Sequence, residues 1–501
     1  MPSEPDLIVA APLWPEALAV RRSLPAGQVR HTGLGPRRAA AAVPGLRADP
    51  ARALAVAGVA GALTTGLNPG DLVVANEIRT PEGAIPCPSA PLLAGELCRQ
   101  GATVHVGPIV CADHVVGEAE RAELAATGAL AVDMESGVLA RAAGDRPFAV
   151  VRSIVDTPGR PLFGPATVTG GPAGLRALAT LGPALRAWAA AVGDRRLVLA
   201  SPRSFCAGVE RAIDVVERLL EHKSKPIYVR KQIVHNARVV ADLEQRGAVF
   251  VEELDEVPAG ATVVFSAHGV APSVREEAEQ RELDVVDATC PLVGKVHHEA
   301  RRYAKQGNTI LFIGHAGHEE TEGTLGEVPE RTILVQDESE VDELRVPDPR
   351  RVSYLMQTTL AVDEAAGIVS ALRRRFPEMT GPNSDDICYA TTNRQQALVA
   401  VAGAVDLVLV LGSANSSNSR RLVEVAEREG ARAFLVDHVG QVRLDWLADA
   451  RSIGVSAGAS APPELVDELI DALGGLGRLD TSERRTTTET IRFTLPKEVR
   501  Y

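Results

Sequence analysis

Thr309-Ile-Leu-Phe-Ile-Gly-His-Ala-Gly-His318 is an apolar run that passes without a break into small residues and hydrogen-bonding side chains. The same grammar recurs on either side of it, in TVVFSAHG (Thr262–Gly269) and LVLVLGSANSSNS (Leu407–Ser419). Short apolar runs bounded by Gly- and Ser-rich turns read as strands buried in a parallel sheet. Three of them suggest three related α/β units. In open α/β sheets, ligands lie at the carboxyl ends of strands, where loop amides and helix N-termini favour anions. Three such loops around a common centre would serve one anionic ligand.

Cysteines fall into the same rhythm. Cys206 lies in SPRSFCAGVERAI, Cys290 in DVVDATCPLVGKVH and Cys388 in DDICYATTNRQ, each at an expected strand end or helix start. Their separations, 84 and 98 residues, match no compact C-x-x-C pattern, so spacing alone does not reveal a metal site. A buried apolar cysteine is the plain alternative at each position. Against it stands the context, since each occurs once per unit and in a Gly- or Thr-rich turn. Three thiolates would leave one iron of a [4Fe-4S] cube without a protein ligand. The other cysteines, Cys87, Cys98 and Cys111, belong to the preceding part of the chain.

With 501 residues the chain is expected to form two to four domains. Aromatic residues make up only 3%, which suits α/β layers built from Ala, Val and Leu. The net charge is −12 with no long basic tract, which excludes the usual footprint of a nucleic-acid binder. No apolar run is long enough to span a bilayer, and the start lacks the basic flank of a signal peptide, so a cytoplasmic location is expected. Upstream of the three units, a first α/β pattern runs from LIVAAP (Leu7–Pro12) through ALAVAGVAGAL and GDLVVANEI to FAVVRSIVD, closing on an expected helix over Leu175 to Val192. The polar break Gly193-Asp194-Arg195-Arg196 suggests domains at 1–193 and 194–501.

SFCAGVERAI, IVHN, FSAHGV, DATCPLVGKVH, GHAGH with TEGT, QTTL, DDICYATTNRQ, NSSNS and GASAP, in this order, resemble the motif set of the LytB family from Leu197 to Arg500. The resemblance implies reduction of 4-hydroxy-3-methylbut-2-enyl diphosphate to isopentenyl and dimethylallyl diphosphates in the non-mevalonate isoprenoid pathway. It implies a [4Fe-4S] cluster on Cys206, Cys290 and Cys388. It makes Glu320 the acid that protonates the departing hydroxyl, Thr358 its neighbour, and His235, His268, His318, Ser416, Ser417, Asn418 and Ser460 the diphosphate ligands. Glu319 stands where many members carry proline, and TIRFTLPKEVR (Thr490–Arg500) resembles the family's C-terminal strand. An external donor, ferredoxin or flavodoxin, is expected because no flavin or nicotinamide fingerprint is present; Arg373, Arg374 and Arg375 are either its dock or a solvated helix face. An iron-sulphur sensor is the non-enzymatic alternative, but it would not need Glu320 and seven diphosphate donors.

In the first part, GDLVV, LAVDMESG (Leu130–Gly137) and RSIVD resemble the nucleoside phosphorylase and nucleosidase superfamily. This implies that Glu135 grips the ribose hydroxyls of a purine nucleoside, Asp156 protonates the purine and Met134 packs beneath the sugar. The turn whose hydroxyl binds phosphate or water in that family reads Gly58-Val59-Ala60-Gly61 here and lacks the hydroxyl. Phosphate would then need the amides near Gly33 and Gly35 with Arg37 or Arg38, or water would be the nucleophile. An early Pro-Glu-Ala and the VDMES segment resemble the hopanoid-associated phosphorylases, which act on adenosylhopane. A catalytically inactive binding or homo-oligomerisation module is the alternative. The expected fold is thus α/β throughout: a phosphorylase-like domain followed by three pseudo-symmetric α/β units around an iron-sulphur cluster.

Overall fold

The computed structural model describes residues 6–159, 165–382 and 384–500. They form two compact units, one comprising Met1–Leu197, His438–Ile453 and Asp467–Thr481, the other Val198–Asp437, Gly454–Val466 and Ser482–Tyr501. Among the described residues, no helix is long and apolar enough to cross a membrane.

The first unit is built on one eight-stranded mixed sheet. Ala53–Ala62, its longest strand, pairs in parallel with Leu7–Ala11 and with Phe148–Asp156, then antiparallel at its far end with Ala131–Asp133. Phe148–Asp156 also pairs with Leu72–Thr80, which joins Val104–Cys111, which in turn joins Ala131–Asp133. The five strands therefore close on themselves. Closure buries the inner face and the helices Trp14–Val20 and Pro165–Leu178 cover the outer one, which is why ALAVAGVAGA and FAVVRSIVD read as continuous apolar runs and not as alternating ones. The expected helix over Leu175 to Val192 is two helices, Pro165–Leu178 and Gly182–Ala190. Pro183 divides them, since it has no N–H to give and its ring clashes with the preceding turn.

The second unit contains three sheets. Thr262–Phe265 lies inside a four-stranded parallel sheet with Ile227–Arg230 and Asp284–Asp287 on its two sides. Thr309–Ile313 is the middle strand of a three-stranded parallel sheet. Leu407–Leu411 pairs in parallel with Arg432–Val436 in a five-stranded sheet. The α/β class and the three repeated units are as the sequence leads one to expect. One expectation fails: TIRFTLPKEVR is not a strand, but irregular backbone ending in a 3-10 turn at Lys497–Val499. The strand of this region is Leu479–Arg485, before it. Pro496 has no N–H for a ladder, and Phe493 turns inward as described below.

Within the first unit, the turn Val439–Gln441 lies against the helix Ala90–Arg99, where Arg99 donates to the carbonyls of Gly440 (3.1 Å) and Val442 (3.3 Å). A Cβ on Gly95 would sit 1.9 Å from the Gly440 oxygen, so only glycine permits this approach. Gly95→Ala should destabilise the first unit by about 1–3 kcal/mol, the usual range for overpacking. Thermal unfolding should show it, with Gly45→Ala, whose Cβ would meet nothing inside the helix Pro36–Arg47, as the control that does not destabilise.

Candidate active site

Each of the three cysteines is the N-cap of a helix: Cys206 for Ala207–His222, Cys290 for Pro291–Lys305 and Cys388 for Tyr389–Ala402. Helix N-termini carry partial positive charge and unpaired N–H groups, which favour a thiolate over a thiol. The backbone fixes all three in the same way. Cys206 N–H donates to the Ala459 carbonyl (3.2 Å), Cys290 N–H to Ala267 (3.0 Å) and Cys388 N–H to Thr358 (3.0 Å). Ala459 precedes Ser460, Ala267 precedes His268, and Thr358 contacts Glu320, so each cysteine is bonded through its backbone to a loop carrying one of the polar side chains described next.

Those side chains line one cavity of about 760 Å³, its open mouth included. It brings together Cys206, Cys290, Cys388, His235, His268, His318, Glu320, Thr358, Ser416, Ser417, Asn418 and Ser460, the thiols, the acid with its neighbour and the seven diphosphate donors that the resemblance assigns. Thr359, Tyr389 and Phe493 also line it and were not anticipated. Arg373, Arg374 and Arg375 do not reach it. They lie on the exposed end of the helix Val362–Arg375, where Arg374 pairs with Glu338 and Arg375 bonds the carbonyls of Asp342 and Leu344.

Glu320 is 1% exposed, and its carboxylate accepts from Thr358 twice, from N–H (2.7 Å) and from Oγ1 (3.0 Å). Burial pushes this carboxyl up to about 7 despite those bonds. His318 Nδ1 accepts from the Glu320 N–H (3.2 Å), which leaves Nε2 as the donor of the neutral ring. Burial depresses His318 to about 3 and His235 to about 2. His235 and His268 stack with centroids 4.0 Å apart, and His318 stands edge-on to both. Across the cavity, Ser416 caps its helix through the Ser419 N–H and receives Ser460 Oγ at 3.4 Å. Asn418 is 4% exposed, yet neither atom of its amide has a partner in the protein. A buried amide in that condition calls for a ligand or ordered water to complete it.

Burial dominates all three thiols, although the Arg394 charge opposes it at Cys206. Burial pushes Cys290 up to about 12 and Cys388 to about 11, and it raises Cys206 as well. A metal would reverse this, because a coordinating thiol is deprotonated outright. Room for one is kept by Gly208, where a Cβ would lie 2.7 Å from Cys290 Sγ and 3.8 Å from Cys206 Sγ. Donor type, helix-capping position and this glycine gap together fit an iron-sulphur group.

A second cavity lies in the first unit and collects Met134, Glu135, Asp156 and Val59. Glu135 accepts from the Gly35 N–H (2.8 Å). Arg152, fully buried, pairs with Asp133 (2.5 Å) and Glu135 (3.6 Å). Glu16, in the Pro-Glu-Ala segment, was not proposed as a site residue from sequence. Its carboxylate accepts from Leu13 N–H (2.6 Å) and Val59 N–H (2.8 Å), and burial, opposed by Arg152, lifts it to about 7. A Cβ on Gly58 would lie 2.3 Å from Arg152 Nη1 and 3.0 Å from Glu16 Oε1, so this glycine admits the network. Asp156 is held by Arg121, which also bonds the Ala62 carbonyl. Of the groups considered for an anion site, the Gly35 amide is taken by Glu135, and Arg37 and Arg38 are exposed and do not line this cavity.

Three α/β sheets presenting helix-capping thiols and polar side chains to one cavity suit an α/β enzyme built around an iron-sulphur cluster. The chain belongs to the LytB family, which matches residues 197–474, and LytB enzymes are [4Fe-4S] proteins. Residues 29–169 match the phosphorylase superfamily. The chain is 58% identical over 324 residues to 4-hydroxy-3-methylbut-2-enyl diphosphate reductase 2 of Mycobacterium bovis, covering 64% of this chain and 98% of that one. Identity to the 4-hydroxy-3-methylbut-2-enyl diphosphate reductase of Leifsonia xyli subsp. xyli is 55%, over 62% of this chain and 92% of the relative. The solved E-1-hydroxy-2-methyl-but-2-enyl-4-diphosphate reductase of Plasmodium falciparum overlays with a TM-score of 0.59 at 37% identity, covering 61% of this chain and 97% of the other.

Protein isolated without oxygen should hold about four irons per chain. Serine at Cys206, Cys290 or Cys388 should lower that content, and so should Gly208→Ala, which pushes a methyl group against Cys290 Sγ. Serine at Cys87, Cys98 or Cys111 should leave iron unchanged. Full iron content in all three variants of the first set would refute the thiol assignment.

Proposed function

We propose that the second unit reduces 4-hydroxy-3-methylbut-2-enyl diphosphate to isopentenyl and dimethylallyl diphosphates, as the names of its relatives suggest. The observation that carries the reading is the buried Glu320–Thr358 pair in the same cavity as three thiols and an unpartnered Asn418. Cys206, Cys290 and Cys388 would hold a [4Fe-4S] cluster, which would supply two electrons, drawn from a ferredoxin or flavodoxin, and Lewis acidity toward the substrate hydroxyl. The protein's own work is binding and proton delivery. His235, His268, His318, Ser416, Ser417, Asn418 and Ser460 gather donors around the diphosphate without a dedicated metal. Glu320, lifted to about 7 by burial, gives a proton to the departing hydroxyl, which leaves as water, and the two electrons left on the allyl group take up a second proton at carbon to give either product. Thr358 fixes both carboxyl oxygens, so the proton has one direction to travel.

Glu320→Gln should keep iron and substrate affinity but lose turnover by roughly 10² to 10⁴, the usual contribution of a general acid. His268→Ala should instead raise KM. Wild-type turnover in Glu320→Gln would mean that the proton comes from another group.

For the first unit we infer cleavage of a purine N-glycosidic bond by water. Glu16, near 7 and bonded to the Val59 amide, is placed to take a proton from water where the family's turn hydroxyl is missing. Glu135 would hold the ribose, Met134 would lie beneath it and Asp156 would protonate the leaving base. The occupied Gly35 amide weighs against phosphate as nucleophile. Leu13, Leu34, Val115 and Val116 line the mouth, with Leu34 and Val115 more than half exposed, which suits an adenosine bearing a hydrocarbon at its 5′ carbon, such as adenosylhopane. One observation favours the alternative of a non-catalytic binding module: Arg121 holds Asp156, which can serve a base only after that pair opens.

The full chain is the right material for the test, because residues 438–453 and 467–481 belong to the first unit. It should release adenine from 5′-substituted adenosines, adenosylhopane best, with or without phosphate. Asp156→Asn should abolish release and Glu16→Gln should lower it by about 10² to 10⁴. No adenine from any such substrate, with the reductase intact, would leave the binding-module reading.

A further inference from the structure

Glu319 is the first residue of the helix Glu319–Glu327, and its side chain turns back into the histidine cluster. Its Oε2 lies 3.1 Å from His268 Nδ1 and 3.3 Å from Ser266 Oγ. Resting on the reading that this cavity binds a diphosphate, we propose that Glu319 is a positioning residue that makes His268 meet the diphosphate as an imidazolium, so that binding takes up a proton.

A carboxylate accepts and cannot donate, so Nδ1 must carry the proton it shares with Glu319. In the neutral ring Nε2 is then a bare acceptor, and an acceptor facing a diphosphate oxygen repels it. Only a second proton, on Nε2, makes the contact attractive, and the Glu319 charge on the other nitrogen compensates the resulting cation. Burial opposes the Glu319 charge, but the hydrogen bond from His268 outweighs it and Lys231 adds to it, which holds the carboxyl below its usual range. It is therefore an anion at every working pH.

The other groups facing His268 do not duplicate this role. Burial keeps His235, stacked on the ring, and His318, edge-on to it, depressed to about 2 and 3, so both stay neutral. Glu320 spends its carboxyl oxygens on Thr358. Lys231 pairs with Glu322, and Arg420 and His315 act on the cluster through His318. A cation held by His235, His268 and Glu319, whose ligand atoms lie within 4.8 Å of one another, is the competing arrangement. The stacking angle of 19° speaks against it, because two nearly parallel rings point their lone pairs side by side and not at one ion.

The test is calorimetric titration of the anaerobic, cluster-loaded full chain with inorganic pyrophosphate, in buffers of different ionisation enthalpy at one pH above neutrality. Wild type should take up about one proton more per pyrophosphate than Glu319→Gln or Glu319→Pro. Proline is tolerated at the first helical position, so that variant guards against misfolding. Both variants should bind about tenfold more weakly, the scale of one charged hydrogen bond. With the full substrate, KM should rise while kcat stays level, and Glu319→Asp should restore part of the affinity. Above neutrality the wild-type Kd should weaken with pH more steeply than that of the variants. If wild type does not bind pyrophosphate at all, the diphosphate reading of the cavity fails. If it binds but Glu319→Gln takes up the same number of protons, or if binding requires an added divalent ion, the role of Glu319 is overturned.

Discussion

Three backbone hydrogen bonds hold the site of the second unit in register: Cys206 to Ala459, Cys290 to Ala267 and Cys388 to Thr358. Each joins a helix-capping cysteine to a loop from a strand end, so the backbone that carries each thiol is tied to a loop that carries a polar side chain of the site. A backbone bond is indifferent to side-chain identity, which makes this coupling robust to sequence change around it. The arrangement also explains how thiols 84 and 98 residues apart reach one cavity. Separate α/β units bring them there, where a compact loop motif would need short spacing.

Desolvation is the second constraint, and it acts on different groups in useful directions. It lifts Glu320 toward 7, where a carboxylic acid can both hold and release a proton, and it depresses His235 and His318 so that they remain neutral. The same burial lifts the thiols, a cost that metal coordination would offset. In the first unit it lifts Glu16. One physical effect thus separates an acid, neutral donors and metal ligands by what each group has beside it.

Much of this was legible in the sequence because it is local. The strand-to-loop grammar of TILFIGHAGH and its two counterparts announces three parallel α/β units, and the loop residues it carries are those that line the cavity. What escaped was long-range pairing. Glu16 becomes interesting only beside Val59 and Arg152, and Arg121 only once it reaches Asp156. Glu319 looks like a departure from a proline until His268, 51 residues earlier, is found against it. Two misreadings were local: Gly182-Pro183 splits an apparently continuous helix, and Thr490–Arg500 has strand-like residues but no strand.

The central claim is that three thiols and one buried acid form a single reductive site. The most direct measurement is an anaerobic turnover of the cluster-loaded chain on 4-hydroxy-3-methylbut-2-enyl diphosphate, counting electrons withdrawn from a reduced viologen against products formed. The account predicts two electrons consumed for each molecule of isopentenyl or dimethylallyl diphosphate, with water as the only other product. A four-iron protein that binds the substrate and forms neither diphosphate would contradict it.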